Sequence, residues 1–268
     1  MAAPADPYAV VLLDLDGTVY LGDRAVPGAP EAIATLRAAG RRVGFLTNDP
    51  RSSRAEYAAR LTRVGVPAAP DEVVTAGVAL AELLRTEGLA GARALILGTA
   101  SFQAEVLACG VLPADGQDPG AVDLVVVGGS ADLGYAELTW ATRALRLGAR
   151  LFGSGRDPTF PTPDGPVPAS GAFLASVEVA GGVTAVTAGK PERPIFDAAR
   201  ALLGGGPAAM VGDRLDTDVA GAQRAGLAGV LVLTGSTGPA ELATSPVVPD
   251  LVVPDLAAFA GVAGRRRR

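Results

Sequence analysis

The stretch VVLLDLDGT, Val10 to Thr18, decides the fold of this chain. It opens with an uninterrupted apolar run, as in a strand that is covered on both faces of a parallel sheet. Asp14 and Asp16 follow at the carboxyl end of that strand, where open α/β sheets place their ligand crevice. Gly17 and Thr18 then predict a turn whose N–H groups can approach an anion. The stretch therefore predicts a parallel α/β sheet with an acidic site at one edge.

Strand-like and helix-like segments alternate along the rest of the chain. PEAIATLRAAG and SRAEYAARLTRVG have helical patterns and end on Gly40 and Gly65, where helix C-caps are expected. The apolar run RRVGFLT lies between them, which gives the βαβ rhythm of a parallel sheet. The rhythm recurs in the middle of the chain and again near its end. We therefore expect an α/β protein in which a second α/β unit is inserted into the first.

The composition of the chain limits the classes of function that it can have. A chain of 268 residues with 49% hydrophobic composition can bury one large core or two ordinary ones. The net charge of -5 disfavours nucleic-acid binding, and the Arg265–Arg268 run is interpreted as a solvated tail. The amino-terminal residues fit neither a signal peptide nor a membrane span, and Cys109 has no second cysteine to pair with. We expect a soluble cytoplasmic protein without membrane partners.

Histidine is absent, and lysine occurs once, at Lys190. The lack of histidine excludes Ser-His-Asp and Cys-His hydrolases and histidine-ligated zinc sites. Acid–base chemistry near neutral pH must then use carboxylates, lysine, tyrosine or metal-bound water. A coding preference for arginine accounts for the other basic positions, but it does not account for Lys190.

A second acidic cluster, MVGDRLDTD, places Asp213 at the end of another apolar strand, with Asp216 and Asp218 after it. Crowded carboxylates resist joint ionisation unless a cation joins them, and Mg²⁺ prefers such oxygen ligands. Thr47 and Asn48 end the second strand with neutral hydrogen-bonding side chains. These residues together predict a magnesium site that receives a phosphate group.

Four motifs in order, DLDGT, Thr47, Lys190 and GDRLDTD, resemble the haloacid dehalogenase (HAD) superfamily. Longer segments such as DLDGTVYLGDRAVPGA and GKPERPIF look like its nitrophenylphosphatase, or NagD-like, branch, which includes phosphoglycolate and glycerol-3-phosphate phosphatases. The resemblance implies a doubly wound, Rossmann-like HAD core with an inserted α/β cap of the C2 type. Lys190 comes 143 residues after Thr47, so the insertion must lie in that interval. We predict core segments at residues 1–78 and 186–268 and a cap at residues 79–185.

The resemblance also implies catalytic and metal-binding roles. Asp14 would be the nucleophile that forms an aspartyl-phosphate, and Asp16 would serve as general acid and then general base. Mg²⁺ would be held by Asp14, by the backbone carbonyl of Asp16 and by Asp213. Asp218 would contact the waters of the ion.

Substrate binding is implied for the loop after the second strand and for Lys190. Thr47 and the Asn48 backbone would bind phosphoryl oxygens, with Lys190 offsetting negative charge. The branch usually has TNN where this chain has TND, so Asp49 adds a carboxylate beside the phosphate loop.

The cap differs from the branch at one turn. Its usual Asn-x-Asp reads GRD here, at residues 155–157, which leaves Arg156 and Asp157 as candidates to face the leaving group. They could equally be ordinary turn residues with solvated charges.

We expect a Mg²⁺-dependent phosphomonoester hydrolase that acts on a small phosphorylated metabolite, first glycerol 3-phosphate and next 2-phosphoglycolate. A phosphotransferase or mutase of the same superfamily is the main alternative, and a non-catalytic binding protein on the same fold is weaker. A sugar-nucleotide transferase would explain Asp14 and Asp16 but would leave the second cluster and Lys190 unexplained. In the resembled branch, homodimers through the cap are common.

Overall fold

The computed structural model describes residues 2–130, 132–160, 162 and 164–262, which form two compact units. As far as they are described, Met1–Thr47, Arg54–Val74 and Lys190–Arg268 make up the first unit, and Asn48–Ser53 with Thr75–Gly189 make up the second. The predicted domain borders, at residues 78/79 and 185/186, stay predictions. The Arg265–Arg268 run lies outside the described residues.

The first unit is built on a six-stranded sheet in the order β15-β14-β13-β1-β4-β5. Its strands are β1 (Val10–Asp14), β4 (Arg42–Thr47), β5 (Val73–Thr75), β13 (Ala208–Gly212), β14 (Ala228–Val232) and β15 (Leu251–Val253). The pairings from β15 through to β4 are parallel. All of β1 is buried, as its apolar run predicts. A short antiparallel pair, β2 (Tyr20–Leu21) and β3 (Arg24–Ala25), follows β1.

Helices pack around this sheet and end where the sequence indicates. They are α1 (Ala29–Ala38), α2 (Arg54–Arg63), α7 (Arg193–Leu203), α8 (Ala220–Arg224), α9 (Pro239–Thr244) and α10 (Leu256–Phe259). Gly40 and Gly65, which follow α1 and α2, have φ of 75° and 88°. These left-handed conformations confirm the predicted helix ends, because only glycine adopts them without strain.

The second unit has its own five-stranded sheet in the order β12-β9-β8-β6-β7, paired in parallel throughout. Its strands are β6 (Arg93–Gly98), β7 (Leu112–Pro113), β8 (Leu124–Gly129), β9 (Arg150–Gly153) and β12 (Val186–Thr187), and β10 (Thr159–Phe160) pairs separately with β11 (Val167–Pro168). Its helices are α3 (Ala76–Thr86), α4 (Ala100–Leu107), α5 (Tyr135–Arg146) and α6 (Ser170–Gly181). The predicted α/β fold class is therefore confirmed in both units.

Phe102 is a main packing element of the second unit. Its ring is fully buried and lies against the backbone of Gly98 in β6 and Gly128 in β8, where a Cβ on either glycine would overlap it. The two glycines thus leave the space that the ring fills. Among the described residues, no helix has the length and apolar character needed to cross a bilayer.

We expect Phe102→Ala to lower the free energy of unfolding of the second unit by about 3–5 kcal/mol, because the removed ring leaves a cavity between two strands. Gln103→Ala is the control, since the neighbouring Gln103 side chain is exposed and should cost about 1 kcal/mol or less. Urea unfolding followed by circular dichroism measures both variants. Equal losses in the two would contradict the packing role of Phe102.

Candidate active site

Three neighbouring strands of the first unit end at the same edge of its sheet. Asp14 is the last residue of β1, Thr47 is the last residue of β4, and Asp213 directly follows β13. The register pairs Leu13 with Val211 and Asp14 with Leu46, so the three strands end level with one another. Parallel pairing therefore brings together side chains that are far apart in the sequence.

Three carboxylates gather at this edge. One oxygen from each of Asp14, Asp213 and Asp218 lies within 4.8 Å of the others, which is close enough to hold a metal ion. The donors are all carboxylate oxygens, and these suit a hard cation such as Mg²⁺. The Asp218 carboxylate lies beside those of Asp14 and Asp213, and its predicted contact with the waters of the ion stays a prediction. The Asp16 side chain is exposed and is not part of this cluster.

Lys190 lies between two of these carboxylates. Its Nζ donates to the carboxylate of Asp14 and, at 2.7 Å, to Oδ1 of Asp218. Only 4% of the Lys190 side chain is exposed. Burial by itself would lower the pKa of Lys190, but the charges and hydrogen bonds of Asp14 and Asp218 outweigh burial and raise it. The ammonium group therefore stays charged at neutral pH.

The pKa values of two of the clustered carboxylates are raised. Burial raises the pKa of Asp14, and the charges of Asp218 and Asp213 add to the rise, while Lys190 opposes it. Burial and Asp218 likewise raise the pKa of Asp213. Ionisation of all three carboxylates beside one ammonium would leave an excess of two negative charges, which one divalent cation would neutralise.

Glycines make room for the clustered carboxylates. Gly17 has φ of 84°, and a Cβ there would lie 2.5 Å from Oδ2 of Asp213. A Cβ on Gly235 would also overlap Asp213, and one on Gly212 would overlap the carboxylate of Asp218. The backbone therefore approaches the site more closely than a chain with side chains at these positions could.

Sequence reasoning missed the loop after β14. Ser236 N–H donates to Oδ2 of Asp213 at 2.5 Å, and the Thr234 hydroxyl donates to the carbonyl of Gly17 at 2.6 Å. The loop thus fixes Asp213 and the turn after β1 at once. The available signal was the small-residue run TGST, which is separated from the buried part of β14 by one residue.

A turn of π-helix, Leu215–Val219, returns Asp218 toward the end of β13. The Arg214 N–H donates to Oδ2 of Asp218 at 3.1 Å, which leaves Oδ1 for Lys190. Asp216 instead pairs with Arg214. Burial opposes ionisation of Asp216, but the hydrogen bond and charge of Arg214 prevail and lower its pKa. Of the two aspartates in this turn, only Asp218 joins the cluster.

Thr47 is buried at the end of β4, and the residues after it belong to the second unit. Asn48 Nδ2 donates to Oδ2 of Asp157 at 2.7 Å. Asp49 forms a salt bridge with Arg51. The added negative charge of Asp49 thus has a local partner.

The two candidate cap residues are engaged inside the second unit. Arg156 donates to both carboxylate oxygens of Glu178, at 2.9 and 3.1 Å, and to the carbonyl of Ala185 at 3.1 Å. Glu178 has a lowered pKa, chiefly because of the Arg156 hydrogen bond. Asp157 accepts the bond from Asn48. The role of both residues in substrate selection stays a prediction.

Known proteins match this chain over both units. Residues 11–112 match the profile of the haloacid dehalogenase-like hydrolases, and residues 187–259 match a second profile, HAD-hydrolase-like. The chain is 39% identical to the glycerol-3-phosphate phosphatase of Homo sapiens, over 84% of this chain and 78% of that protein. It is 38% identical to the D-glycerol 3-phosphate phosphatase of Mycobacterium tuberculosis, over 88% of this chain but only 65% of the relative's length.

Solved structures agree with these matches. The glycerol phosphate phosphatase of M. tuberculosis in complex with magnesium has a TM-score of 0.91 at 35% identity, covering 97% of this chain and 78% of that one. The 4-nitrophenylphosphatase of Thermotoga maritima has a TM-score of 0.89 at 33% identity, covering 97% of this chain and 99% of that one.

The chain therefore belongs to the haloacid dehalogenase-like hydrolases, as its motifs predicted. Within that family, the 4-nitrophenylphosphatase and glycerol-3-phosphate phosphatase relatives confirm the predicted NagD-like branch and a phosphatase as the enzyme class. The magnesium complex of one relative and the carboxylate cluster of this chain together support the predicted Mg²⁺.

We expect Gly235→Ala to weaken Mg²⁺ binding by about tenfold or more, because the new methyl group would displace the Asp213 carboxylate. Gly238→Ala is the matched control, since a Cβ on Gly238 would meet no atom within 4 Å. Isothermal titration calorimetry with MgCl₂ measures both. Unchanged affinity in a folded Gly235→Ala protein would show that Asp213 does not ligate the ion.

Proposed function

We propose that this protein is a Mg²⁺-dependent phosphomonoester hydrolase that acts through an aspartyl-phosphate on glycerol 3-phosphate. The observation that carries the proposal is the position of Asp14, which ends the central strand with its carboxylate held by Lys190 beside Asp213 and Asp218. A carboxylate fixed in this way can attack phosphorus without first having to be ordered.

The cation would be held by Asp14, Asp213 and the backbone carbonyl of Asp16, with Asp218 beside them to contact its waters. When bound, Mg²⁺ supplies positive charge that offsets the repulsion between the attacking carboxylate and the phosphoryl oxygens. Lys190 contributes in the same sense, because its ammonium contacts Asp14 directly.

In the first half-reaction, a carboxylate oxygen of Asp14 bonds to phosphorus and the ester P–O bond breaks. Asp16 donates a proton to the departing alcohol oxygen. In the second, water attacks the phosphorus of the aspartyl-phosphate, Asp16 takes up the proton of that water, and inorganic phosphate leaves. Asp14 and the proton on Asp16 are then restored. Thr47 and the Asn48 backbone would bind phosphoryl oxygens throughout.

The choice of substrate rests on the relatives. Those of M. tuberculosis, Homo sapiens and Gallus gallus are named for glycerol 3-phosphate, at 38%, 39% and 35% identity. We place 2-phosphoglycolate second, as an alcohol phosphate of similar size. A cytoplasmic location is part of the proposal, since the single cysteine suits a reducing compartment. A homodimer through the second unit stays a prediction.

Asp14→Asn tests the mechanism. The amide is not nucleophilic, so we expect hydrolysis of glycerol 3-phosphate and of p-nitrophenyl phosphate to fall below detection in MgCl₂, with the circular dichroism spectrum unchanged. Phosphate release assayed with molybdate measures turnover. Full activity in this variant would overturn the assignment of Asp14 as nucleophile.

Lys190→Arg tests the need for a compact ammonium. The guanidinium keeps the charge, but it is planar and larger, and the position contacts two carboxylates while almost fully buried. We expect kcat to fall by about 100-fold or more. Arg193→Lys, at an exposed ion pair nearby in the sequence, is the control and should keep wild-type kcat. Equal kcat in Lys190→Arg and wild type would contradict a geometric role.

A further inference from the structure

Asp16 lies in a tight turn that directly follows β1. Its side chain is exposed, so packing in the core does not fix the direction in which it points. The next residue, Gly17, is buried and has a φ of 84°, and glycine has more backbone freedom than any other residue. The direction of the Asp16 carboxylate therefore depends on how the backbone of this turn is held.

Both backbone groups of Gly17 are held by hydrogen bonds. Its N–H donates to the carbonyl of Tyr20 at 2.8 Å, which closes the turn. Its carbonyl accepts a bond from the Thr234 hydroxyl at 2.6 Å. The first bond joins two residues of the same turn, whereas the second comes from a loop 217 residues away in the sequence. Thr234 thus fixes the turn relative to another strand of the sheet.

The loop that carries Thr234 is itself anchored. It follows β14, and its Ser236 N–H donates to Oδ2 of Asp213 at 2.5 Å. The Thr237 N–H donates to the backbone carbonyl of Asp213 at 3.1 Å. The loop is therefore tied to the end of β13 within three residues of Thr234, so the Thr234 hydroxyl is a fixed support for Gly17.

The turn also packs directly on the loop. A Cβ on Gly17 would lie 3.1 Å from the Cα of Gly235, so the two backbones are close together. Because Gly17 is buried, water does not readily replace the Thr234 hydroxyl as donor to its carbonyl. Loss of that hydroxyl would therefore let the turn shift, and Asp16 would shift with it.

The consequence for catalysis rests on the proposed function, in which Asp16 donates a proton to the departing alcohol oxygen. Such a transfer requires donor and acceptor within hydrogen-bond reach, and a misplacement of about 1 Å can cost about 100-fold in rate. The need for the acid differs between leaving groups. The alkoxide of glycerol needs the proton, whereas p-nitrophenolate is a stabilised anion and leaves without it.

We propose that Thr234 is a positioning residue for the general acid: through the carbonyl of Gly17, it holds Asp16 where the carboxyl group can protonate an alkoxide leaving group. Thr234 acts through the turn and takes no part in bond making. The proposal deepens the proposed function by naming a residue that supports one of its steps.

The test compares kcat/KM for glycerol 3-phosphate with kcat/KM for p-nitrophenyl phosphate in the full chain with MgCl₂. This constant covers the steps up to release of the alcohol, so it reports on the acid and not on the later attack of water. Thr234→Val keeps the shape of the side chain but removes the hydroxyl. We expect kcat/KM to fall about tenfold for glycerol 3-phosphate and to stay within about twofold for p-nitrophenyl phosphate. Thr234→Ser keeps the hydroxyl and should restore the wild-type values.

Two further variants serve as references. Asp16→Asn removes the acid itself and should show the same selective loss, but a larger one. Thr35→Val is the matched control, because the Thr35 hydroxyl donates to the carbonyl of Glu31 at 2.8 Å on an exposed face of α1. This control should leave both constants unchanged. Isothermal titration calorimetry should give Thr234→Val the Mg²⁺ affinity of the wild type, since a displaced Asp213 would change that affinity and slow both esters.

The outcomes separate the two proposals. If Asp16→Asn shows the selective loss but Thr234→Val slows both esters equally or neither, the role of Thr234 is wrong and the proposed function stands. If Asp16→Asn keeps the wild-type kcat/KM for glycerol 3-phosphate, or the folded wild type releases no phosphate from either ester, the proposed function is wrong at that step and the role of Thr234 falls with it. Should Thr234→Val not fold, Thr234→Ala removes the same hydroxyl and is assayed in its place.

Discussion

The contact of one buried ammonium with two carboxylates is the interaction on which the site depends. Lys190 binds Asp14 and Asp218, and without it three carboxylates would meet in a place where burial already raises the pKa of two of them. Removing one member of such a buried pair leaves an uncompensated charge, which is far more costly than the pair itself is stabilising. The ammonium opposes the rise in the pKa of Asp14 that burial causes, and the gathered carboxylates create the demand for a divalent cation.

The order of the strands in the sheet brings the other polar residues of the site to the same edge as this contact. β13, β1 and β4 are neighbours in space but not in sequence, and each delivers one polar side chain to the same edge. Glycines at positions 17, 212 and 235 then allow the backbone to close around the carboxylates. Lys190 and the three clustered carboxylates therefore all belong to the first unit.

Much of this could be predicted from the sequence because buried parallel strands leave an uninterrupted apolar run and a polar residue at its end. The motifs at Asp14 and Asp213 are of that kind, whereas Lys190 stood out as the single lysine of the sequence. The contact of Ser236 with Asp213 could not be predicted in the same way, since it depends on β14 lying beside β13. The pairing of Asp49 with Arg51 was also missed, because a sequence shows the charge but not the rotamer that compensates it.

The buried position of Lys190 also affects how the protein can react with reagents that modify amines. No other lysine occurs in the sequence, and this one is almost fully enclosed by its own ion pairs. Acetylation, ubiquitin attachment and amine-directed crosslinkers therefore find no accessible lysine side chain on the folded first unit. The basic side chains on the protein surface are therefore arginines, and these reactions do not modify arginine.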